Sequence, residues 1–258
     1  MSRENPEVID SVAKALALLE VFSVEESALT ISRAAALTGL TRPTARRILL
    51  TLTNLGFAVQ NEGRFSLTPK VLRLGFGYLA SLPFWETAQP HLRQLAQSVG
   101  ESCSMATLDG DEIVYLARIP AQQSVAIPLS TGSRLPAYAT SLGKVMLATL
   151  SEDEFTAYLE RTPLDALTPQ TITDPELLRR EIDQVRSQGF AIVDGEREVG
   201  VRSAAAPVHL RDGRTPAAIN LSANGMRVSK EQLLERFVPE LLRTAGAISS
   251  ELGYATVL

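Results

Sequence analysis

Four arginines stand where they could meet a polyanion. Arg42, Arg46 and Arg47 open a segment whose Ala45, Ile48, Leu49, Leu52 and Leu55 fall on one stripe of a 3.6-residue period. Arg64 follows an Asn61-Glu62-Gly63 turn. Residues at the N-terminal turn of such a helix reach base edges when it enters a major groove, so Arg42, Thr44 and Arg46 are expected to read bases. Arg47 and Arg64 are expected to hold backbone phosphates. An isolated helix with this pattern would more simply be a solvated surface helix, and the segments around it decide between the two.

Other reactive residues fit enzyme chemistry poorly. Ser141-Leu142-Gly143-Lys144 is an S-x-x-K stretch, which in some acyl-transfer enzymes pairs a nucleophilic serine with a lysine, but the companion motifs are missing. Gly143-Lys144 does not make a phosphate-binding loop, because Tyr138 stands where the first glycine is needed and Val145 replaces the required Ser or Thr. His91 and His209, the two histidines, are expected on helix or strand surfaces, and Glu196 and Glu198 lack metal-ligand spacing. Cys103 is the single cysteine, so neither an intrachain disulfide nor a thiolate cluster is available. The expectation is a non-enzyme with no cofactor and no metal.

Composition is that of an ordinary globular protein: 258 residues, 45% hydrophobic and 21% charged. The apolar runs are short of the roughly 20 residues that cross a bilayer, and MSRENPEVID carries no apolar signal region, so a cytoplasmic protein without a membrane partner is expected. The net charge is −4, yet its distribution is uneven. Residues 27–80 hold seven basic residues against Glu62 alone, a net +6 that leaves −10 for the remainder. That asymmetry fits one part that meets phosphates and another that does not. It also weighs against a winged helix used purely for protein contact or dimerisation, which would not need +6.

The elements that would position these residues follow from local signals. Ile9, Val12, Leu16 and Leu19 mark an amphipathic first helix. A short helix over 31–38, a turn at Gly39, and a helix over about 41–55 capped by Thr41 make a helix-turn-helix. Two β-prone runs, 57–60 and 64–67, then form a hairpin in the position of a wing. Thr68-Pro69 opens a helix over 70–80, and Pro83 marks a boundary. Beyond it, a helix runs from 84 to 99. Strands are expected over 102–108 and 112–119 around Asp109-Gly110-Asp111, and over 124–129, 190–193, 203–210 and 217–223. Helices are expected over 138–150, 174–188 and 229–252, with Asp174 and Ser229 as caps. The resulting class is α+β: residues 1–68 a winged helix-turn-helix, 69–82 a linker helix, and 83–258 a sheet packed by helices.

The stretch ALTISRAAALTGLTRPTARRILLTLTNLGFAV, with its wing and linker helix, resembles the DNA-binding half of the IclR family. TGSRLPAYATSLGKVMLA (131–148), GFAIVDGEREVGVRSAAAPV (189–208) and AAINLSANG (217–225) resemble that family's effector domain. The wording of SRLPAYATSLGK and DGEREVGVRS is most similar to the branch that regulates aromatic-acid catabolism through β-ketoadipate. Tyr138 stands where many members have His, and Arg202-Ser203 where others often carry Cys. The resemblance implies a ligand-responsive regulator that binds a double-stranded DNA operator and a small aromatic or dicarboxylic acid. It also implies a GAF-like effector domain with an antiparallel sheet, and a homo-oligomer, either a dimer or a dimer of dimers. Carried over residue by residue, it puts the effector against the 135–144 loop and the late strands. The residues so implied are Arg134, Tyr138, Ser141, Asp194, Ser203, Asn220 and Ser222. Small polar groups in an apolar cleft suit a carboxylate ligand, and Arg134, Lys144 or Arg202 could add a charge-assisted bond.

Overall fold

The computed structural model describes residues 8–23, 25–121 and 129–255, and the chain divides into two units, Met1–Ser81 and Leu82–Leu258. The strand expected over 124–129 falls outside the described residues except for Leu129.

In the first unit, α1 (Asp10–Glu20) is followed by a short strand β1 (Leu29–Thr30), then α2 (Ile31–Thr38) and α3 (Arg42–Asn54). Thr30 and Thr41 cap α2 and α3 by accepting from the backbone N–H groups of Arg33 and Thr44. The wing is β2 (Ala58–Asn61) and β3 (Arg64–Leu67), which pair antiparallel in register Asn61↔Arg64. The two turn residues, Glu62 (φ 50) and Gly63 (φ 78), are both left-handed, which matches the twist of a two-residue hairpin. β1 adds to the far side of β3, giving the order β1-β3-β2. Leu18, Leu29, Ala34, Ala45, Leu49, Leu52 and Phe65 form the core beneath. A 3-10 turn (Pro69–Val71) leads into α4 (Leu72–Ala80), and Lys70 ties that turn down by donating to the Leu55 carbonyl at 2.7 Å.

The periodicity of the first helix is correct, but its apolar stripe is not what the unit buries. Leu18 is the buried residue of α1, while Ile9, Val12 and Leu16 are more than half exposed. α4 likewise exposes Leu72, Leu74, Phe76 and Tyr78.

The second unit starts with α5 (Pro83–Val99) and the hairpin β4 (Ser102–Asp109) and β5 (Glu112–Ile119). β6 (Arg134–Pro136), a 3-10 turn, α6 (Ser141–Leu147), α7 (Glu152–Arg161) and α8 (Pro175–Gln188) follow. Then come β7 (Ala191–Asp194), β8 (Val201–Val208) and β9 (Ala217–Asn224). The C-terminal helix has three parts: α9 (Lys230–Gln232), a π-helical turn (Leu233–Phe237) and α10 (Val238–Glu251). Pro239 explains the widening, since its ring cannot sit against the carbonyl four residues back in a regular α-turn. The six strands form one antiparallel sheet in the order β6-β5-β4-β9-β8-β7. α5 and α10 pack together on one face and α6 on the other, with α8 over α6. This is the expected α+β class.

The helix expected over 138–150 is shorter. Residues Ala137–Ala139 form a 3-10 turn, and α6 begins only after Thr140 caps it. The reason is a close approach: a Cβ on Gly143 would stand 2.1 Å from the Ala137 carbonyl oxygen, so α6 lies directly on the preceding backbone.

Candidate functional site

On the first unit, Arg46 and Arg47 are exposed on α3 and Ala45, Leu49 and Leu52 are buried. By the helical period, Arg47 projects on the side opposite that buried stripe, and Arg46 lies on the flank shared with Arg42. The Arg42 guanidinium donates to Ser32 Oγ, which steadies it across the helix-turn-helix. The Thr44 hydroxyl is 2.9 Å from that of Thr41 at the cap, and Thr44 and Arg47 both line a groove against α1. Arg64 on the wing donates to the Ala28 carbonyl at 3.2 Å and remains exposed, with most of its five N–H donors uncommitted. Arg33 is paired with Glu26, and Lys70 with Leu55, so neither adds to the outward cationic surface.

On the second unit, the α6 face of the sheet carries a half-open cleft. Strand register builds its floor. Arg118 stands opposite Ser104 and Ser104 opposite Asn220, and in the next row Ser102 faces Ser222, which faces Ser203. Ser141 and Thr140 enter from the start of α6, and Arg197 and Glu198 from the loop 195–200. Arg197 Nη1 is 3.0 Å from Glu198 Oε2, whereas Arg118 has no carboxylate partner among the described residues. Among the described residues Arg118 reaches only Ser104 Oγ, at 3.5 Å. Burial pushes the Tyr115 phenol to a higher pKa, and the nearby Arg118 and Arg197 oppose that shift. Two buried polar atoms at the cleft have no partner among the described residues, Ser141 Oγ and Asn220 Oδ1. Unpaired buried polar groups are uncommon and costly unless a ligand or water completes them.

Four of the seven residues expected at the effector, Ser141, Ser203, Asn220 and Ser222, therefore meet at one cleft. The other three lie elsewhere. Arg134 is on the surface of edge strand β6, held by Asp109 and Glu112 at 2.7 Å each. Tyr138 is packed in the core and its hydroxyl donates to the Asp165 carbonyl at 2.9 Å. Asp194 pairs with Arg202 at 2.6 Å at the end of β7, and that contact, with the Val228 carbonyl, occupies Arg202. Lys144 is neither solvated nor at the ligand surface. It is fully buried, 2.5 Å from Glu196 and 3.4 Å from Glu181. Burial pushes the Glu196 carboxyl upward in pKa, and Lys144 counters the shift. Among the described residues no cluster of His, Cys, Asp or Glu is arranged to hold a metal, and no helix is long and apolar enough to cross a membrane.

Two family models match the chain. The IclR helix-turn-helix domain matches residues 11–62, and the bacterial transcriptional regulator IclR C-terminal model matches residues 76–250. The chain belongs to the IclR family. This IclR regulator is 40% identical over 249 residues to the Pca regulon regulatory protein of Pseudomonas putida, an alignment covering 96% of this chain and 86% of that one. It is 36% identical to the p-hydroxybenzoate hydroxylase transcriptional activator of Acinetobacter baylyi, with 93% and 90% covered. An IclR homologue from Microbacterium hydrocarbonoxydans, solved as a complex with 4-hydroxybenzoate, matches with a TM-score of 0.83 at 26% identity, covering 94% and 98%. The relatives' names describe transcription regulators rather than enzymes. The chain is accordingly a DNA-binding regulator with a small-molecule effector domain.

Within this IclR regulator, Arg118 is the cleft residue that simple strand alternation misses. Between Met105/Ala106 and their partners the register shifts: Met105 pairs with Ala117 but Ala106 with Tyr115, leaving Leu116 as the extra residue of a bulge. The bulge inverts the parity of β5, so Tyr115 and Arg118 share a face although they are three positions apart.

Proposed function

We propose that this protein regulates aromatic-acid catabolism genes by reading an operator with α3 and sensing a hydroxylated aromatic acid in the α6-face cleft. The observation that carries the effector reading is the pairing of one cation with nearby unsatisfied neutral groups. Arg118 has no carboxylate partner among the described residues, and Asn220 Oδ1 and Ser141 Oγ are buried without partners. A carboxylate completes Arg118 through a charge-assisted bond, and a ring hydroxyl donates to Asn220. Arg118 and Asn220 stand on strands separated by β4, so their backbones are about 10 Å apart, a span suited to a single substituted ring. The 4-hydroxybenzoate bound by the Microbacterium homologue has this chemistry.

On the DNA side, Arg42 and Arg46 would address base edges, with Arg47 and Arg64 on flanking phosphates. The exposed apolar residues of α1 and α4 support a homodimer in which a second copy covers them. Two symmetry-related helices would then meet a pseudo-palindrome.

Fluorescence anisotropy with DNA from the protein's own upstream intergenic region, at two salt concentrations, tests the reading. Arg64→Ala should weaken every sequence alike and flatten the salt slope by about one. Arg46→Ala should relax base preference at one position at a cost of about 1–3 kcal/mol. Ser203→Leu should keep DNA binding and lose the response to 4-hydroxybenzoate, because the larger side chain fills the cleft floor. A normal response in Ser203→Leu would move the effector site elsewhere.

A further inference from the structure

Lys144 ends the S-x-x-K stretch, and the effector chemistry above does not use it. Three charges from three elements meet at its ammonium: Lys144 from α6, Glu181 from α8, and Glu196 from the loop 195–200 between β7 and β8. Desolvating such a group is costly, and an apolar pair of similar volume often serves stability equally well. Stability alone therefore explains these buried charges poorly.

Their position suggests a different role. Ser141, one turn before Lys144, lines the cleft from α6, and Arg197 and Glu198, directly after Glu196, line it from the loop. The Lys144–Glu196 contact thus joins two walls of the cleft. Other bonds fasten the loop to a third segment: the hydroxyls of Thr168 and Thr171 donate to the Gly195 and Glu196 carbonyls at 2.7 and 2.6 Å. Glu196 is the loop's charged link to α6.

We propose that Lys144 is a positioning residue of the effector site, clamping Glu196 so that Arg197 and Glu198 stand at a set place relative to Ser141 before ligand arrives. The inference rests on reading the cleft as the effector site. Preorganisation of this kind raises affinity by removing the cost of ordering a loop on binding.

The test compares the wild-type chain with Lys144→Met/Glu196→Met, which removes the closest pair of charges together and leaves Glu181, which is partly exposed, to solvent. The double variant should melt no lower than wild type and bind the upstream intergenic DNA normally. In the ligand-free protein the Gly195 and Val201 amides, now bonded to the Val201 and Glu198 carbonyls at 2.8 and 3.1 Å, should exchange hydrogen faster. Binding of 4-hydroxybenzoate should weaken by roughly tenfold. Unchanged exchange in a variant that melts normally overturns the proposal, and so does faster exchange with unchanged 4-hydroxybenzoate affinity. Should the double variant fail to fold, Glu196→Gln, which leaves Lys144 its contact with Glu181, is read by the same two measurements. A wild-type chain that binds no 4-hydroxybenzoate would count against the effector reading, while the exchange comparison would still decide whether Lys144 holds the loop.

Discussion

His209 lies half-buried just beyond β8, its Nδ1 2.8 Å from Thr215 Oγ1 and its ring 4.7 Å from that of Tyr254. Burial disfavours the imidazolium and lowers its pKa below the ordinary value of 6.5. The folded chain therefore binds fewer protons at this site than the unfolded one. The associated stability is present above about pH 6.5 and is lost as pH falls through the lowered pKa. Thermal melts across that window should show the decline, and His209→Phe, which keeps an aromatic ring against Tyr254, should flatten it. An identical pH profile in the variant would mean that His209 is not the group responsible. Residue identity revealed less about Arg134 and Arg118. The resemblance put Arg134 at the effector and passed over Arg118, and the difference lies in company: Arg134 has Asp109 and Glu112 beside it, and Arg118 has serines and an amide.

At the scale of elements, local capping chemistry was the most readable signal. Asp174 with Pro175 announces α8, and in the structure Asp174 Oδ1 accepts from the N–H groups of Glu176 and Leu177. Ser151 and Glu154 form an equally explicit capping box for α7, an element the hydrophobic pattern alone did not single out. Its Phe155 and Tyr158 are buried but close together, too few to set up a visible period. The short strands β1 and β6 escaped notice for a related reason, since two or three residues cannot show alternation. Replacing a cap should have local consequences. Thr41→Ala and Ser151→Ala should each cost about 1 kcal/mol in denaturant unfolding. Thr41→Ala alone should also weaken DNA binding, because Thr41 fixes the first turn that carries Arg42. Equal loss of DNA affinity in both variants would argue against α3 as the reading helix.

At the scale of the whole molecule, each of the two units has a core of its own, one around Leu18, Leu49 and Phe65, the other including Leu142, Phe155 and Ile182. A chain beginning at Leu82 should therefore fold alone and, on the effector reading proposed above, bind 4-hydroxybenzoate with the affinity of the full protein, measured by calorimetry. Failure of that fragment to fold would show that the first unit completes the second. The division between a basic and an acidic part, the helix-turn-helix with its wing, and the run of strands around a helical middle all follow from the order of residues alone. Periods, caps and turn residues act between neighbours a few positions apart, and charge is additive along the chain. The membership of the cleft follows a different rule. It depends on a bulge at Leu116 that turns Arg118 to the other face, and on pairings such as Lys144 with Glu196 across 52 positions. No local pattern encodes such meetings, because strand register and helix packing bring those side chains together only once the sheet has closed.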